Sequence, residues 1–268
     1  MDGAQTSRQG RLTPLRGSRA TAPALLAGAV CCGLLLPLPA SANPSEYIYT
    51  PAVEQGEREV DFKYGAGLPK PGVPRTQGVS IGLGYGASEH WFTEVYLKQE
   101  SSGGQNANLA EWENKFQLTE TGEYPVDLGL ITELELPLNA NAAREAGIGP
   151  LLQAGFGKVQ LNGNFIFRRA FGKPDETGTP FVTNLFYQWQ VLYRGLPELD
   201  VGLQGMGGMG KWNNWSGQSS QGHFAGPAVM GKVVLGERQA LRYNAAWLFG
   251  LSSAAPRNTF RMQVEYEF

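Results

Sequence analysis

FRMQVEYEF (260–268) ends the sequence with a strict alternation of apolar and polar residues. The apolar residues occupy every second position: Phe260, Met262, Val264, Tyr266 and Phe268. Successive side chains of a β-strand point to opposite faces, so this period predicts a strand with one apolar and one polar face. Half-buried sheets of soluble proteins contain such strands too. The rest of the sequence must therefore decide what the apolar face contacts.

Residues 1–42 have the composition of a secretory signal peptide. Four arginines lead into a mostly apolar run at 22–38, and Ala40-Ser41-Ala42 supplies the small residues that a signal peptidase requires. A transmembrane anchor is the alternative, but prolines at 23, 37 and 39 shorten the apolar run below the roughly 20 residues that span a bilayer. We therefore expect export, with cleavage after Ala42.

Both cysteines, Cys31 and Cys32, lie inside this leader. Val30 stands where a lipidation signal has a small residue, so a lipoprotein is not expected. The mature chain then has no cysteine, which excludes a disulfide framework and a thiolate metal site. His90 and His223 are the two histidines and do not form a metal-binding pattern, so neither a metal nor a cofactor is predicted.

The charge of the mature chain also restricts its partners. Of 22 basic and 24 acidic residues, four arginines and one aspartate belong to residues 1–42, so the mature chain has an excess of acids. A nucleic-acid partner would require a basic face, and none is expected. The mean hydropathy of -0.26 fits a soluble protein. It fits a membrane barrel equally well, because outward apolar residues there alternate with inward polar ones.

Alternation recurs along residues 58–268 and predicts twelve strands. The predicted spans are 58–68, 75–88, 90–102, 109–121, 125–138, 145–157, 159–172, 181–195, 199–211, 223–236, 240–253 and 258–268. Longer polar loops are predicted after every odd-numbered strand, and tight connections near 88–89, 121–124, 157–158, 196–198 and 236–237 after the even-numbered ones. This rhythm is typical of a transmembrane barrel with two different rims.

A leader, a cysteine-free mature chain, alternating strands and a terminal aromatic residue resemble the Gram-negative outer-membrane β-barrel proteins. The residues that carry the resemblance are Phe260, Met262, Val264, Tyr266 and Phe268. The resemblance implies an all-β, antiparallel up-and-down transmembrane barrel of about twelve strands, with ten or fourteen as alternatives. It implies a place in the outer membrane, contact with outer-membrane lipid, and recognition of the last strand by the barrel-assembly machinery.

Aromatic residues toward the strand ends fit the membrane interfaces of such a barrel. They are Trp91, Trp112, Tyr193, Trp212, Trp215, Tyr243, Trp247 and Phe268. The alternative is that these rings form the core of a soluble β-sandwich.

The polar faces of the strands predict what lines the lumen. Acids concentrate in the early strands and bases in the later ones, which predicts an acidic wall opposite a basic wall. The candidate lumen-lining residues are Glu59, Asp61, Lys63, Glu94, Glu111, Glu113, Lys115, Asp127, Glu133, Glu135, Arg168, Arg194, Arg242 and Arg261. Twelve strands lie between eight, where side chains fill the interior, and sixteen, which leave a channel. This favours a narrow pore over a lumen closed by paired charges.

The leading functional hypothesis is a passive, porin-like channel for small solutes. Residues 43–57 precede the barrel at 58–268 and form either a periplasmic segment or a small plug. The alternative is a structural or adhesive barrel whose outer loops bind partners, above all 211–223 with Trp212 and Trp215. A lipid-modifying enzyme is the third hypothesis, since Ser219, Ser220 and His223 share one loop but lack an acid to orient a base. The protein is therefore not expected to be an enzyme.

Cleavage of the leader gives the first testable prediction. Intact-mass measurement of the membrane-inserted protein should give a chain that begins at Asn43. The variant Ala42→Leu places a bulky side chain at the cleavage position and should retain residues 1–42. A wild-type chain that keeps its leader would contradict this interpretation.

Overall fold

The structure is a computed structural model that describes residues 44–139, 143–172, 181–196 and 198–268. The expectations for the leader at 1–42, its two cysteines, Asn43, and parts of two long loops and one tight connection lie outside these residues. Within the described ranges, no helix is long and apolar enough to cross a membrane.

Twelve β-strands account for most of the described chain. Their bounds are β1 Arg58–Gly67, β2 Thr76–Ser88, β3 Trp91–Ser102, β4 Gln105–Gln117, β5 Asp127–Pro137, β6 Arg144–Phe156, β7 Val159–Phe171, β8 Thr183–Tyr193, β9 Asp200–Lys211, β10 Gly222–Val234, β11 Ala240–Gly250 and β12 Asn258–Glu267. Each strand pairs with its sequence neighbours, and β1 pairs with β12, so the sheet is a closed barrel. The predicted fold class and strand count are confirmed.

Closure depends on the strand that first indicated the fold. β12 runs antiparallel to β1, with Val60 opposite Tyr266 and Phe62 opposite Val264. The last residue also takes part, because Phe268 N–H donates to the Arg58 carbonyl at 2.8 Å. A sheet in hydrocarbon must pair every backbone donor and acceptor internally, and only a closed sheet leaves no unpaired edge.

The alternation of each strand separates an apolar outer wall from a mostly polar interior. On the outside, Leu83 is 67% exposed and Leu97 is 59% exposed. On the inside, Asp61 and Gln204 are fully buried. Exposed aliphatic side chains on every side of a barrel fit lipid rather than water, since soluble monomers rarely expose large contiguous apolar surfaces.

Aromatic rings occupy both ends of the outer wall. At the rim where β12 ends, Tyr266 stacks on Phe268 with ring centroids 5.8 Å apart. Toward the opposite rim, Trp212 contacts Phe167 edge-on at 6.3 Å. Trp91, Trp112, Tyr193, Trp212, Trp215, Trp247 and Phe268 are all exposed, as expected for side chains that meet a membrane interface.

The two rims differ, although not as the sequence predicted. We call the rim formed by the connections after β2, β4, β6, β8 and β10, together with Arg58 and Phe268, the turn end, and the opposite rim the loop end. At the loop end, β3 and β4 are joined by Gly103 and Gly104 alone, at φ 58° and 86°. At the turn end, the β4–β5 connection spans the nine residues between Gln117 and Asp127.

The predicted long loop after strand 3 and the predicted tight turn after strand 4 were therefore both wrong. Positive φ at both central residues matches a two-residue hairpin turn that only glycine adopts readily. Because of this short hairpin, the polar residues from Gln105 onward belong to β4. This strand begins and ends four residues earlier than predicted. Polarity suggested a loop there, but polar residues beyond the bilayer are tolerated in a strand.

The closing strand yields the second prediction. Phe268→Asp should sharply reduce the amount of heat-modifiable, folded barrel in the outer membrane, measured by gel mobility of unheated samples. A charge near the bilayer interface costs only about 0–1 kcal/mol in the folded barrel. A large loss would therefore reflect assembly through β12 rather than simple destabilisation.

Phe156→Asp is the matched control, because Phe156 is another exposed aromatic residue of the turn end, 64% exposed, on β6. We expect this variant to fold at nearly wild-type levels. Equal losses in both variants would show that the closing strand has no special role.

Candidate functional site

A stretch of the chain before β1 lies inside the barrel. We call residues 44–57 the luminal segment. The Pro44 carbonyl lies against Gly65 in the loop-end half of β1. Further along, the Glu54 carbonyl lies against Gly86, and Gly56 N–H donates to the Gly86 carbonyl at 2.8 Å near the turn end. The luminal segment thus descends through the lumen before the chain turns back into β1.

Glycines of the wall make room for the luminal segment. A Cβ atom at Gly65 or Gly86 would overlap the backbone carbonyls of Pro44 and Glu54. A Cβ atom at Gly129 would lie 2.8 Å from the Cβ of Pro51. Close approach of a second backbone is a common reason for glycine inside a strand. The wall is therefore shaped to hold this segment.

A buried ammonium group contacts the part of the luminal segment nearest the loop end. Lys63 Nζ lies 3.7 Å from the ring centroid of Tyr47 and 3.6 Å from that of Tyr96, so it is held between two aromatic faces. Its nearest counter-ion is Asp61, at 3.4 Å from Oδ2. Cation–π contacts are strongest where water is excluded. Lys63 of β1 therefore holds Tyr47 of the luminal segment next to Tyr96 of β3.

Tyrosine hydroxyls fix the middle of the luminal segment. Tyr49 O–H lies 3.0 Å from Glu113 Oε1 and 2.8 Å from Glu133 Oε1, between two wall carboxylates. Tyr47 O–H donates to Glu113 Oε2 at 3.3 Å, and Asn164 Nδ2 donates to the Tyr49 carbonyl at 3.0 Å. Burial, followed by the neighbouring charge of Glu113, raises the pKa of Tyr49 well above its usual range. The hydroxyl therefore stays protonated as a donor.

Arginine and apolar contacts complete the attachment. Arg168 forms an ion pair with Glu46 and donates from Nε to Glu133 Oε2 at 2.8 Å. Ile48 is buried in an apolar cluster with residues of β9–β11: Met206, Phe224, Ala228, Ala246 and Leu248. Tyr49 belongs to a second cluster on the other side: Ile131, Leu151, Ile166 and Phe186. The lumen is thus apolar in part, which the alternation of polar residues did not predict.

The structure places most of the sequence-predicted lumen residues inside the barrel. Nine are buried: Glu59, Asp61, Lys63, Glu94, Glu111, Glu113, Asp127, Glu133 and Arg261. Lys115, Glu135, Arg168 and Arg242 are partly exposed within the lumen, whereas Arg194 is exposed at the turn end. Sequence reasoning missed Lys98, which lies 2.8 Å from Glu111 and 2.6 Å from Glu135. Its position opposite Glu111 and Glu135 depends on cross-strand register, which the sequence did not reveal.

The bases do not form a separate wall. Arg168 binds the early-strand acid Glu133, and Lys232 lies 2.6 Å from Glu267 of β12. Arg242 lies 3.2 Å from Glu265 and also pairs with Glu267. Late-strand acids therefore neutralise several late-strand bases locally, and the expected acidic wall opposite a basic wall is wrong.

A cavity of about 490 Å³ occupies the turn-end half of the lumen. Tyr47, Tyr49 and Val53 of the luminal segment line the cavity. Carboxylates and polar side chains line its wall: Glu59, Glu94, Glu113, Gln153, Gln160, Gln190, Gln263 and Glu265. Arg194, Asp200, Lys232 and Arg242 line it nearer the rim. The cavity is thus a polar vestibule that ends at the luminal segment.

Three carboxylates meet beside the β1–β12 seam. One oxygen each of Glu57, Glu59 and Glu265 lies within 4.8 Å of the others. Burial raises the pKa of Glu57 to about 7, with the charge of Glu267 as the next cause. Arg242 already reaches this group, at 3.9 Å from Glu57 and 3.2 Å from Glu265. Because a guanidinium serves as the cation there, we assign no metal to these oxygens.

The loop residues considered for catalysis do not form a nucleophile–base pair. His223 Nδ1 lies 2.8 Å from Tyr187 Oη, and Nε2 lies 2.8 Å from Gln221 Oε1. Both ring nitrogens are thus engaged by residues other than Ser219 and Ser220. The Ser219 carbonyl instead accepts from Ser253 Oγ at 3.0 Å.

No protein-family model matches the sequence, and no curated protein matches it. Solved structures do resemble it. An outer-membrane channel from Pseudomonas putida F1 is 14% identical, with a TM-score of 0.51 over 83% of this chain and 98% of that chain. The NanC porin is 11% identical, with a TM-score of 0.50 over 79% of this chain and all of that chain. The chain has the fold of the porin-like outer-membrane β-barrels.

The attachment of the luminal segment can be tested by labelling. Since residues 43–268 contain no cysteine, Ile48→Cys provides a single thiol in that part of the chain, in a position that is only 4% exposed. We expect slow reaction with a water-soluble maleimide, and faster reaction when Tyr49→Phe is added. Loss of the Tyr49 hydroxyl removes about 1–3 kcal/mol from the attachment, which corresponds to about a 5- to 150-fold increase in the labelling rate.

Two further variants serve as controls. Ala52→Cys faces the cavity and should react quickly in every background. Tyr243→Phe removes a hydroxyl that donates to the Glu198 carbonyl, outside the luminal contacts, and should leave the Ile48→Cys rate unchanged. Fast labelling at position 48 in the wild-type background would refute the buried placement of the segment.

Proposed function

We propose that the protein is a narrow passive channel for small polar solutes in the outer membrane, closed at rest by its own luminal segment. The observation that carries the proposal is the polar cavity of about 490 Å³ that ends at Tyr47 and Tyr49. A barrel with only a structural role has no need for a polar cavity of this volume in its interior. In this proposal the luminal segment ends the cavity and so keeps the channel closed at rest.

The way in which the luminal segment is held supports movement. Its contacts with the wall from Glu46 to Val53 are side-chain hydrogen bonds, an ion pair and packing, rather than a ladder of strand pairing. The segment can therefore leave without breaking the closed sheet, whose backbone pairing is complete without it. Net costs of individual hydrogen bonds are about 0.5–1.5 kcal/mol, which allows reversible release.

One side of the lumen stays polar toward the loop end. Lys98, Glu111 and Glu135 form a hydrogen-bonded group in the loop-end half of β3, β4 and β5. Polar side chains thus continue from the cavity toward the loop end along one side of the barrel. The acids outnumber the bases on this side, so we infer a preference for cations over anions.

An adhesive barrel is the second candidate. Trp212 and Trp215 follow β9 at the loop end and are 51% and 60% exposed. Exposed tryptophans at the end of a barrel suit either lipid or a protein partner. In this alternative the filled lumen is permanent. As a channel or an adhesin, the protein would contact outer-membrane lipid, and the barrel-assembly machinery would recognise β12.

Planar-bilayer recording distinguishes the two candidates. The wild-type protein should show rare openings, whereas a variant lacking residues 44–55 should conduct steadily and prefer cations. Glu113→Gln in the shortened protein should lower the cation preference, because it removes a carboxyl from the wall of the path. Reversal potentials in a salt gradient measure this preference.

Glu123→Gln, in the exposed β4–β5 connection, is the matched control and should leave the selectivity unchanged. Heat-modifiable mobility must show that each variant is folded. If the deletion prevents folding, Tyr49→Phe in the full chain should still raise the frequency of openings. A folded deletion variant without conductance would refute the channel and favour the adhesive role.

A further inference from the structure

We propose that the inner end of the turn-end cavity is a binding site for small organic ammonium ions, in particular short alkyl diamines. This inference rests on the proposed channel and names the class of solute that the channel would take. It depends on three features of the cavity: an excess of carboxyl groups over nearby bases, aromatic walls, and lysines whose ammonium groups already contact these rings.

The basic side chains at the rim of the cavity already form ion pairs. Arg194 lies 3.4 Å from Asp200, Lys232 lies 2.6 Å from Glu267, and Arg242 binds Glu265 and Glu267. These bases are therefore committed to local acids. Deeper in the cavity, three wall carboxyls, Glu59, Glu94 and Glu113, outnumber the two ammonium groups near them, those of Lys63 and Lys115.

Glu94 is the least satisfied of these carboxyl groups. It is 3% exposed, it lines the cavity, and it forms no ion pair with any described residue. Its Oε1 has no hydrogen-bond partner within the described part of the chain. That oxygen leans over Gly82, 2.6 Å from where a Cβ would lie. A buried acceptor without a donor is costly, and rotation of the carboxyl toward the cavity would let a ligand N–H group supply the donor.

Aromatic rings of the same cavity already bind ammonium groups from within the chain. Lys115 Nζ lies 5.0 Å from the ring centroid of Phe92, and Lys63 Nζ lies 3.7 Å from that of Tyr47. Both rings line the cavity. A carboxyl next to an aromatic face provides the two interactions that an organic ammonium favours, an ion pair and a cation–π contact.

The length of the cavity suggests a second charge on the ligand. Glu94 and Glu113 lie at its inner end, whereas Glu59, near the start of β1, lies closer to the turn-end rim. A short diamine can reach carboxyls at both depths, and 490 Å³ is ample for a molecule of this size. The aromatic walls favour an alkyl ammonium over a strongly hydrated metal ion, which would bind the carboxylates alone.

Calorimetric titration of the folded, full-length mature protein in detergent tests the inference. Putrescine should bind saturably, whereas butanediol, which has the same length without charge, and succinate, which has the opposite charge, should not. Glu94→Gln should weaken putrescine binding about tenfold or more, as expected for loss of a charge-assisted hydrogen bond. Glu145→Gln changes a luminal carboxyl outside the cavity lining and should have no effect.

Two further measurements make every outcome decisive. If Glu94→Gln does not fold, Phe92→Leu should weaken putrescine binding by removing the aromatic face while keeping an apolar side chain. Calcium chloride tests for an inorganic cation site. Binding of calcium without putrescine would overturn the proposal, as would equal binding of putrescine and butanediol. Calorimetry measures binding and does not depend on conductance. A protein that conducts ions but binds no diamine would therefore refute this inference alone. A protein that binds the diamine but does not conduct would refute the channel alone.

Discussion

The structure depends on backbone closure between β1 and β12. In hydrocarbon an unpaired strand edge has no water to satisfy it, so the first strand must meet the last. The pairing from Glu59 opposite Glu267 to Gly67 opposite Thr259 provides that contact. Closure then dictates the side-chain pattern, because each strand has one face toward lipid and one toward a confined lumen. Polar and ionisable groups on the inner face must find partners there, which is how the charged network of the lumen arises.

The luminal segment fills interior volume that the side chains of a twelve-stranded barrel leave empty. Eight strands form an interior that side chains fill, but twelve enclose more volume than their inward residues occupy. Residues 44–57 fill part of that volume, with Ile48 and Tyr49 packed into two apolar clusters on different sides of the lumen. Lys63 between the rings of Tyr47 and Tyr96 ties the segment to the wall. The remaining volume is the turn-end cavity.

Sequence alternation predicted the barrel well because period two is a local property that lipid on one side enforces over every strand. The final strand was predicted at 258–268 and ends at Glu267. The lumen was harder to predict. Ile131, Leu151 and Ile166 face inward although they are apolar, since the luminal segment covers them. Which acid meets Lys98 or Arg168 depends on the register between strands and on the path of residues 44–57, and neither can be read from the period.

The luminal segment is held in the lumen by side-chain contacts and does not add a strand to the sheet. Its release would therefore leave the barrel itself stable. If the luminal segment joined the sheet, its release would expose unpaired backbone within the membrane and cost several kcal/mol per group. Instead, release exposes side chains of Glu113, Glu133 and Asn164 to a lumen that water can enter. Water replaces the lost hydrogen bonds at little net cost. In the proposed channel, the carboxylates that hold Tyr47 and Tyr49 at rest would face the open path and would help to select what passes through it.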